Sequence, residues 1–300
     1  MFDQFTAATL DVDGSPIHYV RGGSGPALLL LHGHPQTHAI WHKVADHLAR
    51  HFTVIAADLR GYGDSGKPAG LPEHTNYSKR AMGAEQLRLM QLLGFERFLL
   101  MGHDRGARVA YRMALDHPGR IERLVLLDIA PTLAMYEQTT REFATSYYHW
   151  FFLIRPAPFP ELLINGNPDA YLEYTLGGRS AGLVPFTPEA YAEYRRCLRD
   201  PATVHGICED YRASAGIDLD HERADLAAGR RIACDTLVLW GAHGVVGKCF
   251  DPLAEWRKLG DRVAGRALPC GHYLPEENPA GLLAEVLPFL LRQTAAGSQP

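Results

Sequence analysis

The most specific chemical signal in this sequence is the stretch Gly102-His103-Asp104-Arg105-Gly106, which places an aspartate between two glycines. This spacing is typical of a sharp turn from a strand into a helix. The glycines avoid steric collisions, and the central residue is held in a strained conformation at the start of the helix. The helix dipole favours negative charge there. An ionised carboxylate at such a point can attack a carbon atom and form an ester, so Asp104 is a candidate nucleophile.

Two further residues can support a nucleophile of this kind. His272 lies in a loop after the last predicted strand and is the candidate base, which would activate a water molecule. Asp128 directly follows an apolar run and is the candidate acid, which would orient the ring of His272. The loop after Trp240 is the other position for this acid, but it offers no carboxylate before Asp251. The sequence therefore predicts a catalytic set of Asp104, Asp128 and His272.

Alternating strands and helices must position these residues. Short apolar runs predict strands at 17–21, 27–31, 52–57, 98–101, 123–128, 236–240 and 266–269. Helical spacings fall between several of them, and this alternation predicts an α/β fold with a mostly parallel, doubly wound sheet. Residues 132–223 contain aromatic residues at helical spacings but no comparable apolar run. We therefore expect a core of residues 1–131 and 224–300 with an inserted helical cap at 132–223.

The composition narrows the class of partner. The 300 residues are 46% hydrophobic and 21% charged, with a net charge of -4, which gives no reason to expect nucleic-acid or membrane binding. The first residues lack a basic region followed by an apolar stretch, so we expect a cytoplasmic protein. The five cysteines have no C-x-x-C spacing, which suggests neither disulfides nor zinc. We expect no metal or cofactor, because the candidate nucleophile belongs to the chain and the second reactant would be water. The oligomeric state stays open, with a homodimer as the commonest case in general.

Three motifs carry a family resemblance, namely 102–108, 32–36 and 271–276. Together they resemble the fluoroacetate (haloacetate) dehalogenases of the α/β-hydrolase superfamily, and the likeness extends over nearly the whole chain. The resemblance implies the α/β-hydrolase fold with its helical cap. It also implies that a short 2-haloacid is hydrolysed through an ester on Asp104, so that haloacetate or fluoroacetate and water give glycolate and halide. The chain order nucleophile, acid, histidine is the order expected for this fold.

The resemblance also assigns the residues that would bind the substrate. The backbone N–H groups of His34 and Arg105 would form the oxyanion hole, and Arg105 and Arg108 would hold the substrate carboxylate. Two arginines three residues apart at the start of a helix share a face, and guanidinium groups bind carboxylates through paired hydrogen bonds. The cap would supply the hydrogen-bond donors for the departing halide: His149, Trp150 and Tyr211.

Two positions depart from the family pattern. Relatives often have an aromatic residue where this chain has His34, and they tend to place a tryptophan near Gly177 and Gly178. Because the His34 contact is made by the backbone, we expect the oxyanion hole to be kept while the polarity of the pocket changes. The preferred halogen and the chain length of the acid stay open.

Two other functions remain as alternatives. An epoxide hydrolase would use the same triad together with two cap tyrosines, and tyrosines are too frequent in this cap to discriminate between the two activities. The arginine pair favours the dehalogenase, because a neutral epoxide has no charge for two cations to bind. A non-catalytic receptor for small acids is the third alternative. The complete set of nucleophile, acid and base argues against it.

Overall fold

The computed structural model describes residues 1–179 and 181–292, and within these ranges eight strands form a single sheet. The strands are β1 (Thr6–Val12), β2 (Ser15–Gly22), β3 (Ala27–Leu31), β4 (Thr53–Ala57), β5 (Phe98–His103), β6 (Ile121–Leu127), β7 (Asp235–Gly241) and β8 (Val263–Leu268). Their order across the sheet is β1-β2-β4-β3-β5-β6-β7-β8. β2 pairs antiparallel with β1 and β4, and every other neighbouring pair is parallel. The predicted α/β class with a mostly parallel sheet is confirmed.

The central strands are buried on both faces, which explains why they read as continuous apolar runs. In β3, Leu28 and Leu30 point into one hydrophobic layer, and Leu29 and Leu31 point into the other. β1 escaped prediction because it lies at the sheet edge, where its side chains are mostly exposed and form no apolar run. The two layers fix the sheet between helices, so the carboxyl ends of the parallel strands are held rigidly together.

Fifteen helices accompany the sheet in the described ranges, and two short 3-10 helices cover His38–Trp41 and Pro72–Tyr77. The helices of the core are α1 (Ala45–Ala49), α2 (Lys79–Leu92), α3 (Arg105–Asp116), α12 (Val245–Cys249), α13 (Pro252–Arg257), α14 (Leu274–Glu277) and α15 (Pro279–Leu290). Those between β6 and β7 are α4 (Thr132–Glu137), α5 (Arg141–Ser146), α6 (His149–Phe152), α7 (Phe159–Gly166), α8 (Pro168–Gly177), α9 (Pro188–Leu198), α10 (Pro201–Ala215) and α11 (Ile217–Ala227). No helix in the described part of the chain is long and apolar enough to cross a membrane.

The helices α4 to α11 occupy the stretch where the sequence predicted a cap. The predicted boundary at residue 223 falls inside α11, which continues to Ala227. α10 is the cap helix that bears most directly on the core. It packs against the 3-10 helix Pro72–Tyr77 and brings Asp210 against Arg105 at the start of α3. The cap therefore covers the end of the sheet where Asp104 lies.

Candidate active site

Asp104 lies on the turn between β5 and α3 and has the strained backbone that the glycine spacing predicted. Its φ and ψ are 48° and -114°, a region that residues with a side chain rarely adopt. The turn requires glycine at position 106, because a Cβ atom there would lie 2.3 Å from the carbonyl oxygens of Leu31 and His32. Asp104 is only 3% exposed. The nucleophile candidate is thus presented to an enclosed space rather than to bulk water.

The loop after β3 lies against this turn and supplies a hydrogen-bond donor. The backbone N–H of His34 donates to Asp104 Oδ1 at 2.9 Å. His32 fixes the loop, because its Nδ1 donates to the Gly33 carbonyl at 3.1 Å and its Nε2 accepts from the Leu59 N–H at 3.0 Å. A Cβ atom at residue 33 would lie 2.9 Å from the backbone nitrogen of Arg105. Of the two predicted oxyanion-hole donors, the His34 N–H contacts Asp104 Oδ1, and the backbone nitrogen of Arg105 lies close to Gly33 beside it.

Asp128 and His272 form a hydrogen-bonded pair beside the nucleophile. His272 Nδ1 lies 2.6 Å from Asp128 Oδ2, and Asp128 Oδ1 accepts from the Gly241 N–H at 2.8 Å. The other ring nitrogen, His272 Nε2, faces Asp104 Oδ2 at 3.8 Å and has no hydrogen-bond partner in the described part of the chain. This distance is too long for a direct hydrogen bond. It suits a base that acts on a water molecule near Asp104.

The loop that carries His272 is fixed at three backbone points. Glu277 accepts from the N–H groups of Gly271, at 2.6 Å, and of Tyr273, at 2.9 Å. His103 Nε2 donates to the His272 carbonyl at 2.8 Å. These bonds lie directly before, at and after the base, so its ring has little freedom to leave Asp128.

Arg105 is largely committed to the cap. Its Nε and Nη2 donate to the two carboxylate oxygens of Asp210, each at 2.8 Å, and its guanidinium lies 4.0 Å from the ring centre of Tyr211. Lys79 and Tyr62 also bind Asp210. Of the guanidinium nitrogens of Arg105, Nη1 alone has no hydrogen-bond partner among the described residues, and it is buried. The side chain thus holds the cap to the core and has one nitrogen left for a ligand.

Arg108 is a buried cation without a carboxylate partner in residues 1–179 and 181–292. It is 1% exposed, and its Nη1 donates to Thr132 Oγ1 at 2.8 Å and to the Ala130 carbonyl at 3.2 Å. Its guanidinium lies 4.6 Å from the ring centre of Trp150. A buried charge is costly unless an opposite charge accompanies it. Arg108 is therefore poised to take an anionic ligand.

The three predicted halide ligands meet in the cap above this arginine. The ring centres of His149 and Trp150 lie 5.8 and 6.4 Å from that of Tyr211. The Trp150 indole N–H and the Tyr211 hydroxyl are buried and have no acceptor among the described residues. His149 differs from them, because its Nε2 accepts from Nη2 of Arg179 at 3.0 Å. These two donors without acceptors lie beside the buried cation Arg108, an arrangement that suits an anion.

Residues 26–279 match the model of the family described as alpha/beta hydrolase fold. The chain belongs to the α/β-hydrolase family. Three features of this fold have counterparts here: the sharp strand-to-helix turn at Asp104, the N–H donor after β3 and the histidine after β8. A carboxylate replaces the serine that many α/β hydrolases carry at the turn.

Individual relatives refine the comparison. The hydrolase is 47% identical to the fluoroacetate dehalogenase of Burkholderia sp over 291 residues, which cover 96% of this chain and 95% of that protein. It is 34% identical to the soluble epoxide hydrolase of Corynebacterium sp. (strain C12), over 93% and 94% of the two chains. The solved structure of ALR0039 from Nostoc sp PCC 7120, assigned to the α/β hydrolases, superposes with a TM-score of 0.96 at 52% identity, covering 98% and 100% of the chains. The resemblance to fluoroacetate dehalogenases is confirmed.

The electrostatics of this hydrolase keep the nucleophile charged and the base neutral. Burial would raise the pKa of Asp104, but the guanidinium groups of Arg105 and Arg179 hold that pKa well below its ordinary value. Burial lowers the pKa of His272, and Arg179 lowers it further. The His272 ring is therefore unprotonated near neutral pH, while Asp104 is an ionised carboxylate.

Arg179 is the site residue that the sequence analysis missed. It follows α8, where only the two preceding glycines drew attention. Its guanidinium lies 4.9 Å from the ring centre of Tyr147 and 5.7 Å from that of Tyr273, the residue next to His272. No local periodicity could have placed it there, because its position depends on the course of the loop after α8.

One group of side chains away from this site has ligating atoms close enough together to suit a metal ion. In the described ranges, atoms of His18, His38 and Asp58 lie within 4.8 Å of one another. Asp58 Oδ1 already accepts from the backbone N–H of His38 at 2.7 Å and lies 2.9 Å from its Nδ1. The carboxylate thereby ties the loop after β4 to the 3-10 helix that begins at His38. This structural role accounts for the group.

Proposed function

We propose that this hydrolase removes the halogen from short 2-haloacids, such as haloacetate or fluoroacetate, through an ester on Asp104. The observation that carries the proposal is Arg108, a buried cation one helical turn from the nucleophile with no carboxylate partner among the described residues. A substrate carboxylate would supply the missing charge. The free Nη1 of Arg105 would bind the same carboxylate and hold the α-carbon over Asp104.

The first chemical step is a displacement at the α-carbon. Asp104 Oδ1 is held by the His34 N–H, so Oδ2 is the oxygen that attacks. A C–O bond forms as the carbon–halogen bond breaks, and the halide leaves with the electron pair. The donors for this developing negative charge are the Trp150 indole and the Tyr211 hydroxyl. Burial keeps the pKa of Tyr211 well above its ordinary value, so its hydroxyl stays protonated and able to donate.

The second step releases the product. His272 Nε2 takes a proton from a water molecule, which attacks the ester carbonyl of Asp104, and Asp128 stabilises the imidazolium. The charge that develops on Oδ1 is held by the His34 N–H. Collapse of this intermediate gives the 2-hydroxyacid and restores the carboxylate. Over the whole reaction, haloacid and water give hydroxyacid, halide and one proton.

Epoxide hydrolysis is the second candidate. The enclosed space between Asp104 and the cap, which we call the chamber, also contains two tyrosine hydroxyls without partners in the described part of the chain. Those of Tyr136 and Tyr211 are buried, and their rings lie 5.0 and 6.4 Å from that of Trp150. Two such hydroxyls could protonate an epoxide oxygen. Arg108 disfavours this reading, because a neutral epoxide would leave its charge uncompensated. A non-catalytic acid receptor has no use for the His272–Asp128 pair.

The deciding experiment measures halide from fluoroacetate and chloroacetate and diol from styrene oxide. We expect halide with the wild-type protein and none with Asp104→Asn. With enzyme in excess over chloroacetate in H₂¹⁸O, the first turnover should place unlabelled oxygen in glycolate and ¹⁸O in the Asp104 peptide. His272→Gln should accumulate the ester, visible as a mass increase on the same peptide. Diol without halide would establish the epoxide hydrolase, and binding of haloacids without either product would establish the receptor.

A further inference from the structure

Arg179 is a second cation near Asp104 and His272, and the proposed displacement and ester hydrolysis give it no contact with the substrate. It is partly buried, and its Nη2 donates to His149 Nε2 at 3.0 Å. Its Nη1 is buried without a hydrogen-bond partner, and no carboxylate pairs with its guanidinium in the described ranges. The charge of Arg105, in contrast, is matched by Asp210. Two cations, Arg108 and Arg179, are therefore left for ligands.

Arg179 and Arg108 face different parts of the chamber. Arg108 lies on the ring of Trp150, and Arg179 lies on the ring of Tyr147, which stacks on Trp150 at 6.2 Å. Arg179 also lines a cavity of about 370 Å³ that reaches inward to His272 and His149, whereas Arg108 is not among the described residues that line it. One carboxylate bound at Arg108 would thus leave Nη1 of Arg179 without a hydrogen-bond acceptor among the described residues.

The cavity itself is suited to negative charge. None of the described residues that line it is acidic, and Lys248 stands exposed at its outer end. Its volume lies in the range of about 300–1,000 Å³ that is typical of pockets for ligands much larger than a two-carbon acid. A cationic lining of this kind attracts anions and raises their local concentration. The space and the charge both exceed what fluoroacetate requires.

We propose that Arg179 forms a second carboxylate site and that the preferred substrates are 2-halo dicarboxylic acids. The carboxylate next to the halogenated carbon binds at Arg108, and the distal carboxylate binds at Arg179. This inference rests on the proposed dehalogenation and defines its substrate class. The chemical step is unchanged: Asp104 displaces the halide from the α-carbon, and water then releases a 2-hydroxy dicarboxylic acid, with one halide ion and one proton formed per turnover.

A matched pair of substrates tests the second site. 2-Chlorosuccinate and 2-chlorobutyrate share the reacting carbon and chain length and differ in the distal carboxylate. We expect kcat/KM for chlorosuccinate to exceed that for chlorobutyrate, and Arg179→Gln to lower this ratio by about 10- to 100-fold, as for loss of a hydrogen bond to a charged group. Arg179→Lys should restore part of the ratio. Arg199→Gln removes an exposed cation from the same cap and should leave the ratio unchanged.

A binding measurement separates failure of this inference from failure of the proposed function. Calorimetry with succinate and butyrate needs no turnover, and succinate should bind more tightly in an Arg179-dependent manner. One outcome is that chloroacetate is dehalogenated while the ratio of kcat/KM for chlorosuccinate to that for chlorobutyrate is the same in wild type and in Arg179→Gln. That result would overturn the second site and leave the dehalogenase intact. Absence of halide from every acid, with Arg179-dependent succinate binding, would overturn the proposed reaction and support the dianion site. Equal binding of the two acids would overturn the site itself.

Discussion

Replacing Arg108 by glutamine should separate function from stability. Glutamine keeps a hydrogen-bonding group near Thr132 and Ala130 but removes the positive charge. Loss of a hydrogen bond between charged groups costs about 1.5–3 kcal/mol, which corresponds to a decrease of about 10- to 150-fold in kcat/KM for haloacids. The substitution is also expected to leave the folded protein at least as stable, because the cation has no carboxylate partner in the described part of the chain.

The expected stability follows from opposing contributions. Burying a charge without an opposite charge costs on the order of several kcal/mol, and replacing the charge by a neutral group recovers part of that cost. The contact of Arg108 with the Trp150 ring, at 4.6 Å, is lost and offsets about 0.5–2 kcal/mol of this gain. The melting temperature should therefore stay the same or rise by a few degrees, since 1 kcal/mol shifts it by about 2–4 °C in a chain of this size.

Differential scanning calorimetry with and without acetate provides the assay. Acetate supplies a carboxylate without a leaving group, and a ligand at 100 times its Kd stabilises the folded state by about 2.7 kcal/mol. Wild type should show an acetate-dependent rise in melting temperature that Arg108→Gln lacks. If the variant melted well below wild type and still responded to acetate, Arg108 would be a structural residue and the reasoning about an unpaired cation would be refuted.

Arg112, one turn further along α3, offers a matched control. It pairs with the carboxylates of Asp116 and Asp225, so its charge is already compensated. Removing one partner of a buried ion pair costs about 3–5 kcal/mol. We expect the lower end of that range for Arg112→Gln, because each carboxylate keeps a second arginine, namely Arg80 and Arg230. The acetate response of this variant should persist.

Three further predictions concern the chemistry. Asp128→Asn should slow hydrolysis of the ester by about 10⁴-fold, because an amide cannot stabilise the imidazolium, while the burst of halide in the first turnover persists in stopped-flow traces. The rate of ester hydrolysis should decline as pH falls below about 7, because burial raises the pKa of Asp128 to about 7 and its protonated form cannot stabilise an imidazolium; a rate that stays constant down to pH 5 in single-turnover assays would contradict this. Trp150→Phe should slow fluoride release more than bromide release, because it removes a hydrogen-bond donor that fluoride, the poorer leaving group, needs more. Equal decreases in the two rates would argue against an indole N–H that binds the halide.

The parts of the site that the sequence predicted are those fixed by local physics. The glycine spacing around Asp104 predicted a strained turn because a Cβ atom at position 106 has no space. Asp128 and His272 were predictable because the carboxyl ends of parallel strands lie at one edge of a sheet. Their partner Gly241 follows the same rule, since it ends the neighbouring strand β7. In each case a short segment determines where the side chain lies.

The contacts across the cap could not be predicted in this way. Asp210 meets Arg105 although 105 residues separate them, and only the packing of α10 against the core brings them together. The sequence analysis therefore expected Arg105 to be as free for substrate as Arg108. Arg179 is a similar case, because it follows α8 and yet contacts His149 and the ring of Tyr273, next to His272. Such contacts depend on the orientation of whole helices, which hydrophobic periodicity does not specify.

The distribution of charge ties the cap to substrate choice. Asp104 keeps a negative charge in the chamber, because its pKa is held well below the ordinary value. An anionic substrate would therefore be repelled unless the nearby positive charges outnumber that carboxylate. Arg105 cannot supply that excess, because Asp210 balances it. Arg108 supplies one positive charge from the core, and Arg179 supplies another from the cap. In the proposed reaction, the core therefore supplies the carboxylate that displaces the leaving group and the cation that binds the adjacent carboxylate. In the proposed second site, the cap determines whether the substrate carries a further negative charge.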